Sequence, residues 1–251
     1  MTSPNNEFQL ILGHRGFRGH LENTLPAFKR ALKYADGIEF DVRVTADGRL
    51  VVLHDGEFKA DGRNYRVETV TYRELLRLHP LGKLVPTLNR VLELSPKVMN
   101  ADLKDPNALP PLLEELERKN LLGRVIISTD DPKLAMRAVR ECPNCRIGLS
   151  ITTPTSPVRV LTKTGLYSVH VPIDVARYIG ARGLEILLRL YHRKGLRVWL
   201  WNYRMNELGW IPRFVPLADA VISDDPGRLK RFLSLKFNRG NTGGGQNVGK
   251  R

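Results

Sequence analysis

The chain is short of cysteine, methionine and long apolar runs, and it carries far fewer acids than bases. Two of its 251 residues are cysteine and four are methionine. Cys142 and Cys145 form a lone CPNC, whereas a zinc site would want a second ligand pair, so they read first as inert thiols, with a local disulfide or a redox role as the alternatives. No apolar stretch approaches the roughly 18–20 residues of a membrane helix, and the polar opening MTSPNNEFQ lacks the basic-then-apolar layout of a secretory signal; both favour a cytoplasmic protein. Acids number 26 against 40 Lys and Arg, a formal charge of +14. That excess draws anionic partners: nucleic acid, an acidic lipid surface or a phosphorylated substrate. The bases are scattered rather than gathered into a stripe with interleaved aromatics, and no nucleic-acid motif accompanies them, which argues against nucleic acid. Peripheral contact with an anionic lipid surface stays open.

What is present is the make-up of a globular protein, 42% hydrophobic and 26% charged. The length suits one α/β domain over residues 1–238, with an excursion at about 56–85 where periodicity is weak apart from a short helix at Tyr72 to Leu78. The Gly-rich basic end, residues 239–251, reads as a disordered tail.

Phe8 to Leu12 is an apolar run ending at Gly13, as a buried strand would be. Asn23 and Thr24 can cap the following helix, and Pro26 suits its first turn. IEFDVRV, Ile38 to Val44, alternates apolar residues with Glu39, Asp41 and Arg43, so the polar face can look into a barrel mouth. A short Asp-Gly turn then returns Leu50 to Leu53 as a hairpin strand, delivering His54 and Asp55 beside Glu39 and Asp41. Thr87 caps a helix over Leu88 to Leu94. Strands at Lys97 to Leu103, Arg124 to Ser128, Arg146 to Ile151, Ser168 to Val171, Arg197 to Trp201 and Ala220 to Ser223 follow, with helices at Leu109 to Lys119, Pro132 to Arg140, Ala181 to Lys194 and from Pro226. With the hairpin strand set aside, eight strand-to-helix steps remain, which predicts a parallel sheet closed as a (β/α)8 TIM barrel, with a small hairpin and insertion after the second barrel strand. No GxGxxG follows the first strand, against the doubly wound alternative.

Catalytic groups of such barrels sit at the C-terminal strand ends. His14, Glu39 with Asp41, Asp102 with Lys104, Trp201 and Asp224 all fall there. Carboxylates at i and i+2 of a strand share a face, and three of them, Glu39, Asp41 and Asp102, suit a hard cation, Mg²⁺ or Ca²⁺ with Mn²⁺ also acceptable, better than zinc. Arg15 can grip phosphate oxygens through its planar fork and Lys104 adds a point charge. His14 and His54 can move a proton each way, base and acid, in either assignment. Trp199 and Trp201 alternate with apolar neighbours; one packs in the core while Trp201 lines the substrate pocket. His20, His79, His170 and His192 have no such context and read as structural.

Several segments carry a resemblance: GHRG at Gly13 to Gly16, ENTLPAF at Glu22 to Phe28, GIEFDVRVTADGRLVVLHD at Gly37 to Asp55, VPTLNRVL at Val85 to Leu92, ADLK at Ala101 to Lys104, VWLWN at Val198 to Asn202 and AVISDDP at Ala220 to Pro226. In this order the chain resembles the glycerophosphodiester phosphodiesterase family. The resemblance implies a (β/α)8 barrel, one divalent cation, and hydrolysis of a small-molecule glycerophosphodiester to glycerol phosphate and an alcohol. It makes His14 and His54 the acid/base pair, Glu39, Asp41 and Asp102 the metal ligands, Arg15 and Lys104 phosphate contacts, and Glu22 and Asn23 part of the element that shapes the site. Three positions depart: Asp102 stands where the family usually has Glu, Leu21 replaces a proline, and Asn202, Tyr203 and Arg204 replace Thr-Val-Asn after the tryptophan, where the headgroup is at issue. Alternatives are a phosphodiesterase of lysophospholipids and a barrel that binds anions without turnover.

Overall fold

A computed structural model describes residues 10–152 and 156–238. The chain runs β1 (Leu10–His14), α1 (Leu25–Ala31), β2 (Gly37–Val44), β3 (Leu50–Val52), β4 (Glu57–Ala60), β5 (Arg63–Arg66), α2 (Tyr72–Leu78), α3 (Leu88–Leu92) and β6 (Val98–Leu103). It continues with α4 (Leu109–Arg118), β7 (Val125–Thr129), α5 (Pro132–Glu141), β8 (Arg146–Ser150), α6 (Ser156–Val160), β9 (Ser168–Pro172), α7 (Ala176–Arg193), β10 (Arg197–Trp201), α8 (Glu207–Phe214), β11 (Ala220–Ser223) and α9 (Pro226–Asn238). The sheet order is β1-β11-β10-β9-β8-β7-β6-β2-β3, and β1 also pairs with β2. Since β3 is antiparallel to β2, eight described strands run parallel and close on themselves: a (β/α)8 TIM barrel, as expected. The expected tail at 239–251, and Phe8 of the first apolar run, lie outside the described residues.

The strands read as near-continuous apolar runs because both faces are covered, one by helices and one by the barrel interior. Ile38, Phe40 and Val42 of β2 are fully buried in the layer between strands and helices, where Phe28 of α1 meets Phe40 edge to face at 6.2 Å. A second cluster inside the barrel joins Leu12, Ile126, Trp199, Ala220 and Ile222. Val51, Leu53, Phe58, Val67, Val70, Leu75 and Val85 form a third, small core beneath the excursion.

Some elements differ from the sequence reading. The excursion contains a β4–β5 hairpin turning at Asp61 and Gly62, both with positive φ. Its Asp-Gly signal was in the sequence, but EFKADGRNYR lacks a clean alternation. Helices α6 and α8 were also not expected; α6 is one turn and α8 carries Pro212 inside it. Thr24 caps α1, accepting from the Ala27 N–H, while Thr87 stands at the start of α3 without a side-chain cap. Cys142 and Cys145 are a correction: they are joined in a disulfide rather than free. Cys142 ends α5, and the turn that follows, closed by the Cys145 N–H on the Cys142 carbonyl at 3.0 Å, brings the two Cα atoms to 5.3 Å, within bridging distance.

Candidate active site

The GHRG stretch turns sharply at the end of β1 because a side chain would not fit. A Cβ on Gly13 would lie 2.3 Å from the Gly16 carbonyl oxygen, and Gly16 has φ +79° with Ala27 backbone 2.7 Å from its would-be Cβ. Between them Arg15 also takes a left-handed φ of 51°, as does Asn23 at 59°. The Asn23 N–H donates to the Arg15 carbonyl at 2.9 Å, so the two constrained positions hold each other. Such outliers concentrate at functional sites.

Strand register brings the acids together. In the β1–β2 pair His14 lies opposite Glu39; in β2–β6 Asp41 lies opposite Asp102. Glu39, Asp41 and Asp102 are all buried, and each offers an oxygen within 4.8 Å of the others. Burial, with Asp41 and Asp102 beside it, raises the Glu39 pKa well above the usual range. Burial opposes ionisation of Asp41 too, but Lys104, Arg15 and His54 outweigh it and bring its pKa to about 2. Asp41 Oδ1 has no hydrogen-bond partner, although Lys104 Nζ lies 3.3 Å away. Three convergent buried carboxylates, one with an unsatisfied oxygen, fit a hard cation: the oxygen-only donor set is that of Mg²⁺, Ca²⁺ or Mn²⁺.

The cations are held by the same acids. Arg15 Nε is 3.0 Å from Asp41, Nη1 donates to Glu22 at 2.5 Å, and its backbone N–H donates to Glu39 at 2.9 Å. Lys104 Nζ is 2.5 Å from Asp102; burial disfavours its charge, yet Asp102 and Asp41 outweigh that and push its pKa up. Ser128 donates to Asp102 at 2.5 Å and receives the Asn100 amide at 2.8 Å.

Each histidine has an aspartate on Nδ1. His14 Nδ1 is 2.6 Å from Asp224 Oδ1, and its Nε2 is 4.0 Å from Glu39. His54 Nδ1 is 2.7 Å from Asp55 Oδ1. Ionised carboxylates only accept, so Nδ1 carries a proton in both rings and Nε2 is the atom each ring turns away from its aspartate. Burial works against the Asp224 charge, but the His14 bond and charge and Arg18 outweigh it and lower its pKa. Arg43 fixes the other ring's backbone, donating through Nε and Nη2 to the His54 carbonyl at 2.8 and 2.7 Å.

His14, Arg15, Glu22, Glu39, Asp41, His54, Asp102, Lys104 and Trp201 line one cleft of about 860 Å³. Asn23 does not line it: its amide donates to Asp41 at 2.7 Å and its carbonyl receives the Asp41 N–H at 3.2 Å. Trp201 approaches His14 edge to face at 6.4 Å, while Trp199 is buried and stacks on His170 at 4.8 Å. His170, read from sequence as purely structural, lines the cleft floor and bonds Ser168 Oγ at 3.0 Å; burial lowers its pKa to about 4. His79 keeps its structural reading, accepting the Leu81 N–H. Sequence reasoning missed the roles of Asp224, Asp55, Arg43 and Ser128. Position at a strand end was a signal for Asp224 and for Ser128, the last residue of its expected strand.

A model of the glycerophosphoryl diester phosphodiesterase family matches residues 14–228. A glycerophosphodiester phosphodiesterase of Caldanaerobacter subterraneus subsp. tengcongensis is 30% identical over 242 residues, covering 88% of this chain and 96% of that protein. A human lysophospholipase D is 34% identical over 129 residues, covering 43% of this chain and 40% of that one. The crystal structure of the Thermotoga maritima glycerophosphodiester phosphodiesterase superposes with a TM-score of 0.73 at 26% identity, covering 89% of this chain and 97% of that one. With a match across the barrel, strand ends and cleft, the chain belongs to the glycerophosphoryl diester phosphodiesterase family.

Proposed function

We propose that this chain hydrolyses glycerophosphodiesters to glycerol phosphate and an alcohol, with one divalent cation held by Glu39, Asp41 and Asp102 and with His14 and His54 as the proton-transfer pair. The observation that carries the reading is the matched pair of Asp-held imidazoles, His14 on Asp224 and His54 on Asp55, bordering a buried acid trio in one cleft. A bound cation supplies Lewis-acid stabilisation of charge on the phosphate oxygens. Arg15, anchored on Asp41 and Glu22, and Lys104, anchored on Asp102, add positive charge where the diester oxygens gain negative charge in the transition state.

One neutral imidazole takes a proton from the attacking water at Nε2, and the other, protonated, gives one to the departing alkoxide, so that water is split between glycerol phosphate and the alcohol. Asp224 and Asp55 stabilise whichever ring is cationic and fix its orientation. Asn23 holds Asp41 from both its amide and carbonyl ends, so the acid trio keeps its shape. Trp201 walls the cleft beside His14. No helix among the described residues is long and apolar enough to cross a membrane. The test is release of glycerol phosphate from glycerophosphocholine and its analogues, with Mg²⁺, Ca²⁺ or Mn²⁺ and with chelator. Turnover that needs a cation supports the reading; no turnover of any diester across that panel overturns it.

A further inference from the structure

Resting on the phosphodiesterase reading, we propose that the cleft wall above β9 and β10 is a subsite for an anionic headgroup, selecting diesters whose alcohol carries a second phosphate. Asp174, just beyond β9, accepts the backbone N–H groups of Tyr203, Arg204 and Met205 at 2.8, 2.9 and 3.0 Å. That triple contact ties the loop after β10 to the loop after β9, so Arg177 and Arg204 stand on one braced platform. Both line the same cleft as the acid trio and both are exposed. Among the described residues neither guanidinium has a carboxylate oxygen within 4.0 Å. Arg15 and Lys104 deeper in the cleft are, by contrast, each ion-paired.

The platform is joined to the proton-transfer centre by a ridge of rings. Trp201 meets His14 at 6.4 Å, Tyr203 meets Trp201 at 6.1 Å, and the Arg204 guanidinium lies 5.5 Å from the Tyr203 ring centre. A substrate whose diester phosphate sits at Arg15 and Lys104 therefore extends its alcohol along this ridge toward two unpaired guanidiniums. Of the cleft's acids outside the trio, Glu22 holds Arg15, Asp55 follows β3 and holds His54, Asp130 follows β7, and Asp174 stands on this wall with its carboxylate taken up by the three backbone N–H groups. The wall over β9 and β10 thus carries two guanidiniums against one carboxylate that is already hydrogen-bonded. A planar guanidinium fork matches phosphate oxygens two at a time, whereas a quaternary ammonium there would face like charge. Tyr203 and Arg204, with Asn202, make up one of the three places where the resemblance to the family departs from its usual pattern.

The experiment compares glycerophosphoglycerol with the same diester phosphorylated on its terminal hydroxyl. In the full chain with added divalent cation, kcat/KM is expected to be about tenfold higher for the phosphorylated compound at low salt, and the ratio to shrink toward one near 0.5 M salt. Arg177→Ala combined with Arg204→Ala should bring the low-salt ratio to about one. Calorimetric binding of both uncleaved diesters to the His14→Ala variant repeats the comparison without turnover. Equal kcat/KM and equal binding for the two, or a preference that survives the double substitution, overturns the subsite. A preserved binding preference with turnover of neither compound, nor of any other diester with any of the three cations, would instead overturn the phosphodiesterase reading and leave the subsite standing.

Discussion

At the residue scale, the two histidines share one design and differ in exposure. The His14 side chain is 11% exposed and that of His54 38%, so the first sits in the cleft wall and the second at its lip. Replacing either with Ala should lower kcat by about 10²- to 10⁴-fold, the usual worth of a positioned acid or base, with an unchanged circular dichroism spectrum. Asp224→Ala should cost less, roughly tenfold or more in kcat with KM little altered, because the ring remains but loses its orientation; equal kcat would show that Asp224 only packs. Asp224 is itself braced, since Glu207 accepts its N–H at 3.1 Å and the Ser223 hydroxyl. Burial lifts the Glu207 pKa to about 7. Asp102→Glu asks whether the shorter ligand tunes the metal: titration with Mg²⁺ and Ca²⁺ should show a changed ratio of dissociation constants, and identical ratios would mean that the one-methylene difference is absorbed by Lys104 and Ser128.

At the element scale, the excursion after β3 stands on its own small core, and α2 is its best-made part. Thr71 and Glu74 form a capping box, with Thr71 accepting the Glu74 N–H and Glu74 accepting the Thr71 N–H. Thr71→Ala should lower stability by about 1 kcal/mol, read as a drop in the denaturation midpoint; no change would mean that α2 forms through Leu75 packing alone. The boundaries of this helix were legible because cap and apolar spacing agreed. For α7 the reading began at Ala181, and the element runs from Ala176 through a non-helical Gly180 with φ 72° and ψ 163°; regular helix does resume there. The β4–β5 hairpin was hidden by polarity, since β5 exposes Arg63, Asn64 and Arg66 and only Phe58, Ala60 and Tyr65 turn an apolar face to the small core.

At the scale of the whole molecule, charge crowding and burial couple the site to stability. Cation binding to the acid trio should raise Tm, because a ligand that binds only the folded chain stabilises it by mass action; a chelator should reverse the shift, and a Glu39→Gln, Asp41→Asn, Asp102→Asn variant should show none. His170 gives a pH dependence of known sign. Its folded pKa of about 4 lies below the ordinary 6.5, so the stability it contributes is complete above about pH 6.5 and is lost as pH falls through about 4, a total on the order of 3 kcal/mol. His170→Gln should flatten the unfolding free energy across that window, and an unaltered slope would refute the assignment. The amino-acid sequence alone determined the barrel, through eight strands alternating with helical stretches, and the acids, bases and histidines at the centre of the cleft, because side-chain type and strand-end position are local properties. Tertiary structure alone decided which groups meet. His14 and Asp224 are 210 residues apart, and only closure of β1 against β11 puts them 2.6 Å from each other. Likewise Asn23 faces Asp41 rather than the cleft, His170 joins the floor, and Asp174 ties two loops into a cationic wall, since each outcome depends on strand register around a closed sheet.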